Sequence, residues 1–109
     1  MPKKPRVSPV RAVWDERNLR HLRERRRARV PEVDEIIRAI CHTARRQRLL
    51  VEPGEPTKWK YVGETCDGRF LVVIAEEVAG GVRPITCWPL VGRERVRYLA
   101  WRQTRKASR

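Results

Sequence analysis

Arg69-Phe70-Leu71-Val72-Val73-Ile74-Ala75 is the one long apolar run with β-branched and aromatic character in this 109-residue chain. A half-exposed strand would alternate with polar residues, so the run predicts a strand buried on both faces. Thr65-Cys66-Asp67-Gly68 precedes it, and Asp-Gly supplies the positive φ that a tight hairpin needs. Ala79-Gly80-Gly81 marks a second turn on its far side. A strand between two short turns belongs in the middle of an antiparallel meander.

Its neighbours follow from alternation. Lys58 to Thr65 places Trp59, Tyr61 and Gly63 on one side and Lys58, Lys60, Val62 and Glu64 on the other. Val82 to Trp88 forms the third strand, and Pro84 within it lacks a donor, so this strand is expected at an edge, bulged, or paired on one side only. Two prolines and a glycine make Glu52 to Pro56 a loop. Beyond Pro89, a closing helix is expected from about Gly92 to Trp101, with Val96, Leu99 and Ala100 inward and a frayed basic tail from Arg102.

Before the meander, Val10 to Trp14 reads as a short strand and Asp15 as the N-cap of a charged helix running from Glu16 to about Arg27. Leu19 and Leu22 are its narrow apolar seam. A second helix starts at Val30-Pro31-Glu32, and Val33, Ile36, Ile37, Ile40, Cys41 and Ala44 form its amphipathic face. Glu32, Asp34 and Glu35 near its start and Arg45, Arg46 and Arg48 at its end suit the helix dipole. Burial of each isoleucine contributes about 1.5–3 kcal/mol, enough to clamp this helix on the sheet. The expected fold is therefore α+β: a small antiparallel meander with two N-terminal helices and one C-terminal helix. Residues 1–9 form a flexible basic arm, 10–101 a single domain and 102–109 a basic tail.

Charge is unevenly spread. The net +13 comes from 26 Lys and Arg against 13 Asp and Glu. Residues 1–29 hold eleven basic and three acidic side chains and residues 93–109 hold seven and one, whereas 30–92 hold eight basic and nine acidic. Such one-sided ends favour a polyanion, because neutralising phosphates releases counterions. The competing explanation is that arginine serves only as a solubilising residue. Cys41, Cys66 and Cys87 are too far apart for a Cys-x-x-Cys site, which points to reduced thiols without a bound metal or other cofactor. Without a membrane-span-length apolar stretch or a signal-like segment, a cytoplasmic, non-membrane protein is expected.

Residues able to do chemistry are few. Cys66 has no base beside it, and His42 borders the apolar face of the second helix. His21 lies among arginines, where repulsion favours the neutral imidazole. It suits a surface position as well as a catalytic one. In the last helix Glu94 and Tyr98 share a face and Arg95 adjoins both. A carboxylate or phenol beside a guanidinium can deprotonate a ribose hydroxyl and stabilise phosphorane charge. The same trio serves equally as a helical ion pair beside an aromatic. Trp14 and Trp59 read as core, while Trp88 and Trp101 could stack on unpaired bases.

Trp14-Asp15-Glu16-x-Asn18-Leu19-x-His21-Leu22, a second helix, a meander, Arg83-Pro84-Ile85-Thr86 and Arg93-Glu94-Arg95-x-x-Tyr98 follow one another in an order that resembles the BrnT family of type II toxins, over roughly residues 10 to 100. The resemblance implies a RelE- and ParE-like fold and a metal-independent ribonuclease that inhibits translation. It also implies a cognate antitoxin of ribbon-helix-helix or similar DNA-binding type, contact with operator DNA only through that complex, and a homodimer or a heterotetramer with the antitoxin. The catalytic positions it implies are His21, Arg69, Glu94, Arg95 and Tyr98. Arg17, Arg20, Lys58, Lys60, Arg93, Arg97 and Trp88 are the expected RNA contacts. Two positions depart from the family pattern. Trp88 stands where an arginine is usual, which removes a cation from the implied site, and Arg25-Arg26 replaces a common His-Gly. A non-catalytic basic module on the same scaffold, binding nucleic acid or an acidic protein, is the alternative.

Overall fold

The structure is a computed structural model that describes residues 11–38, 45–65 and 67–107. Its centre is an antiparallel sheet in the order β1-β2-β3-β4, formed by β1 (Arg45–Arg48), β2 (Lys58–Glu64), β3 (Phe70–Val78) and β4 (Gly81–Pro89). Helix α1 (Glu16–Arg20) continues into a π turn (His21–Arg25) and is followed by α2 (Val30–Arg38); α3 (Gly92–Ala107) closes the chain. The described chain is thus α+β, with a four-stranded sheet and three helices. Among its described residues no helix is long and apolar enough to cross a membrane.

The central run is buried on both faces. Leu71, Val73 and Ala75 join Tyr61, Cys87, Leu22, Val33, Ile36 and Ile37 in one apolar cluster, beneath α1 and α2. On the other face Val72 and Val62 meet Leu90 and Tyr98, with Phe70, Ile74, Trp88 and Trp101 packed around them. The period of two along β3 therefore divides the molecule into two layers, one on each side of a shared sheet. Gly68 closes the β2–β3 hairpin at φ +81°, its N–H donating to the Thr65 carbonyl at 2.9 Å. This is the conformation for which the Asp-Gly pair was suited.

Pro84 produces the irregularity its sequence position predicts. β4 is an edge strand, and its register against β3 passes from Ile74↔Thr86 to Ala75↔Pro84, so Ile85 is the extra, bulged residue. The segment before α1 meets β4 only at its start. Val13 N–H donates to the Val82 carbonyl at 2.7 Å and Val82 N–H to the Arg11 carbonyl at 3.0 Å, making a parallel bridge centred on Ala12. A Cβ at Gly81 would collide with that Arg11 carbonyl. Glycine is needed there for close approach.

Three expectations are corrected. Arg45–Arg48 does not end the second helix but forms β1, paired from Arg45↔Val62 to Arg48↔Trp59. The local helix-dipole argument lost to tertiary pairing: the open edge of β2 satisfies the backbone of this segment, and the Arg46 guanidinium lies 4.0 Å from the Trp59 ring centre. The meander therefore has a fourth strand. Second, α3 runs past Trp101 to Ala107, so Arg102 belongs to the helix rather than to a frayed tail. Third, α3 is rotated from the expected face. Tyr98 is buried and Trp101 half-buried, while Val96, Leu99 and Ala100 are exposed. Burial of the Tyr98 and Trp101 rings against Val62, Val72 and Leu90 accompanies that rotation, with Glu94 meeting Lys60 and Arg102 meeting Glu64 on the sheet. The expected arm over residues 1–9, the continuation of α2 through Ile40, Cys41 and Ala44, and His42 and Cys66 lie outside the described residues.

Candidate functional site

The strand pairing determines which charges share a face. Arg45 is opposite Val62 and Gln47 opposite Lys60, so all four side chains project from the same side of the sheet, towards α3. Helix α3 brings Glu94, Arg97 and Tyr98 over them, one turn apart along its inner side. Together these seven residues line a cleft of about 260 Å³. Arg45, Lys60 and Arg97 supply three cations against one carboxylate, Glu94, which is ion-paired with Lys60. Val62 and Tyr98, both buried, complete the lining. Tyr98 packs edge-on to Phe70 with ring centres 6.0 Å apart and lies 5.7 Å from the Trp101 ring. Burial pushes its phenol above the usual range, so at neutral pH the hydroxyl keeps its proton and acts as a donor. The Arg45 guanidinium sits 5.8 Å from the Trp101 ring centre.

The cleft can hold an anion. Three cationic side chains lining a concave surface form the kind of site that receives a phosphodiester, and Gln47 and Tyr98 add neutral polar side chains to the lining. A carboxylate adjoining that position has the chemistry of a proton acceptor, and a protonated phenol that of a donor.

The other expected site residues are dispersed. Arg95 is on α3, but its guanidinium lies 4.5 Å over the Phe70 ring, beside the cleft rather than lining it. Arg69 is on the opposite side of the sheet, with Nη1 3.2 Å from Oε1 of Glu32 in α2. Glu32 is buried, and Arg69 is the charge that compensates it there. His21 is half-buried in the π turn, which packs against β4 in the layer of the N-terminal helices. Arg17 and Arg93 are exposed. Arg20 pairs with Glu16 at 3.2 Å, and Lys58 with Glu55 at 3.8 Å. Trp88 is half-buried in the α3-side cluster. Of the twelve expected residues, the cleft brings together Glu94, Tyr98, Lys60 and Arg97.

Arg45 and Gln47 were not foreseen as site residues because their segment reads as helix. The signal that finds them is the pairing partner: once Arg45–Gln47 lies beside Lys60–Val62, alternation alone puts them on the α3 side.

The motifs at the start of the domain have a different role. Asp15 caps α1, accepting from the N–H groups of Arg17 (2.9 Å) and Asn18 (3.0 Å), while its own N–H donates to Asn18 Oδ1 at 2.8 Å. Asn18 is buried, and its Nδ2 donates to the carbonyls of Val13 (3.1 Å) and Pro84 (3.0 Å). Arg83 Nε donates to Asp15 Oδ2 at 2.5 Å, and Arg83 Nη1 lies 3.5 Å from Glu76. Trp14 Nε1 donates to Asp34 at 2.8 Å. Trp-Asp-Glu-x-Asn and Arg-Pro-Ile-Thr thus form one clasp that ties α1 to the bulge in β4. The Arg83 guanidinium and two backbone N–H groups hold the Asp15 carboxyl down at about 2.

Comparison with protein-family models, with curated proteins and with solved structures finds no match for this chain.

Proposed function

We propose that this protein is an RNA-directed toxin of the RelE/ParE-like, BrnT kind, acting in the cytoplasm and held in check by a DNA-binding antitoxin, with the cleft under α3 as its RNA site. The observation that carries this reading is the convergence of Arg45, Lys60 and Arg97 around Glu94 and Tyr98. In the proposed reaction Arg45 and Arg97 hold the scissile phosphate. Glu94 accepts the proton of the ribose 2′-hydroxyl as its oxygen bonds to phosphorus, and the protonated Tyr98 phenol donates to the 5′-oxygen as the P–O5′ bond breaks, giving a 2′,3′-cyclic phosphate and a free 5′-hydroxyl with no metal ion required. Lys60 keeps Glu94 in place and stabilises charge on the phosphorane.

The dispersal of Arg69 and His21 away from this cleft favours a second reading, in which the cleft binds RNA without cutting it. One experiment separates the two. Purified protein is incubated with single-stranded RNA in excess chelator, and both retention and cleavage are followed for the wild type, Glu94→Gln and Tyr98→Phe. Cleavage that is lost in both variants while retention persists supports the enzyme. Salt-sensitive retention without cleavage supports the binding module, and no retention at all overturns both.

A further inference from the structure

Two arginine–tryptophan pairs flank β1, one on each face of the sheet, and they are built differently. On the N-terminal side the Arg46 guanidinium lies 4.0 Å from the Trp59 ring centre, and Trp59 Nε1 donates to Glu77 Oε1 at 2.8 Å. That ring has its cation close and its N–H engaged. On the α3 side Arg45 stands 5.8 Å from the Trp101 ring centre, close to the limit of about 6 Å for such a contact, and Arg45 also lines the cleft. Trp101 follows Glu94, Arg97 and Tyr98 at the spacing i, i+3, i+4 and i+7, so it continues the row of α3 residues that line the cleft. It sits about 6 Å along the helix axis beyond Arg97. The indole is half-buried, 5.7 Å from the Tyr98 ring, and the pair between the next residue, Arg102, and Glu64 anchors the turn that carries it.

We propose that Trp101 is a nucleobase-stacking residue beside the cleft: the base next to the bound phosphate lies on its indole, and the Arg45 guanidinium, which lies over that ring in the free chain, turns to the phosphate. The proposal rests on the reading of the cleft as an RNA site and narrows its substrate to an unpaired nucleotide. The exchange replaces one contact on the indole face by another and releases the guanidinium for a charge-assisted bond to phosphate. A base inside a duplex has its faces covered by its neighbours and cannot make this contact. No single base is selected, because every base has a π-face. Trp59 does not fit the role, since it packs on the cluster across the sheet from the cleft.

The test compares binding of two octamers of equal charge to the full-length chain. One is octauridylate with fluorine in place of each 2′-hydroxyl, which cannot be cut, and the other is an abasic sugar-phosphate chain. Wild type is expected to bind the uridine octamer at least about tenfold more tightly. Trp101→Leu, which keeps an apolar side chain in the cluster, is expected to lose that preference while binding the abasic octamer as wild type does. Trp101→Phe and Trp59→Leu are expected to keep most of it. Should Trp101→Leu fail to fold and lose both octamers, the wild-type preference and Trp101→Phe decide. Equal binding of the two octamers by wild type, an undiminished preference in folded Trp101→Leu, or a preference lost in Trp59→Leu instead overturns the proposal. Binding of neither octamer also overturns it, and retention of unmodified RNA then tells whether the RNA reading of the cleft falls with it.

Discussion

The N-terminal layer and the α3 layer cover the same four-stranded sheet by opposite means. Beneath α1 and α2 the sheet meets Leu22, Val33, Ile36 and Ile37, all fully buried, and the buried carboxylate in that layer, Glu32, has Arg69 beside it. Under α3 the wholly buried residues are fewer, and the helix is anchored at its margins by Lys60–Glu94 and Glu64–Arg102. Apolar contact closes the first layer against water, whereas in the second layer a cleft lies beside the Lys60–Glu94 pair. The layer that folds the chain and the layer able to receive a ligand are therefore different, and mutations in the two should fail in different ways.

The largest effect is expected in the closed layer. Ile37→Ala should lower unfolding free energy by about 2–5 kcal/mol in urea denaturation, since it removes a fully buried side chain from a packed site. Val96→Ala on the outer side of α3 should stay within about 0.5 kcal/mol. Equal losses for the two would end the distinction between the layers.

Arg69→Ala comes next. It leaves the Glu32 carboxylate without its cation in a place where the side chain is 8% exposed, although Arg69 itself is 43% exposed and water screens part of the loss. A cost of about 1–3 kcal/mol is expected, as for a buried polar group left unpaired. Glu32→Gln in the same chain should recover much of it. RNA retention should hardly change, because the pair lies across the sheet from the cleft. A selective loss of RNA retention in Arg69→Ala, with stability intact, would move the binding surface to the N-terminal layer.

In the open layer the expected response is in binding. Arg97→Ala should leave unfolding free energy within about 0.5 kcal/mol, as is usual for an exposed side chain. Retention of RNA should weaken uniformly across sequences, with the slope of log K against log salt falling by about 1 for each phosphate contact removed. An unchanged slope would exclude Arg97 from phosphate contact.

How much of this was legible beforehand divides along the same line. β3, its two turns, the Asp15 cap and the irregularity at Pro84 could be read because each depends on residues adjacent in sequence: an unbroken apolar run, an Asp-Gly pair, a capping side chain, a missing N–H. β1 and the rotation of α3 could not. Arg45-Arg46-Gln47-Arg48 has no apolar pattern, and it becomes a strand only by pairing with β2 and resting Arg46 on Trp59. In α3 the apolar residues Val96 and Leu99 suggested one buried face, but the sheet offers Lys60 and Glu64 as partners for Glu94 and Arg102, and those pairs accompany burial of the opposite face. Five of the seven residues lining the cleft come from these two elements. A site assembled from long-range pairing has no local signature, which is why Glu94 and Tyr98 could be proposed from their spacing while Arg45 and Gln47 could not.

The smallest effect concerns the clasp between the layers' common edge and α1, and it is read through pH. Asp15 titrates at about 2 in the folded chain against 3.8 for the free side chain, held down first by Arg83 and then by the backbone N–H groups it caps. A carboxyl depressed by folding binds its proton more readily when unfolded, so its contribution is fully present above about pH 4 and is lost as pH falls towards about 2. Asp15→Asn keeps an acceptor for the Arg17 and Asn18 N–H groups but removes the charge facing Arg83. Other carboxylates titrate in the same window, so the informative quantity is the difference in melting temperature between wild type and variant. It should be steady from neutral pH down to about 4, shrink below that, and vanish only as pH falls through about 2. Because Asp15 is exposed to solvent, added salt should reduce the plateau as well. A difference that persists unchanged to the lowest pH would mean that the clasp rests on the capping hydrogen bonds and not on the Asp15–Arg83 pair.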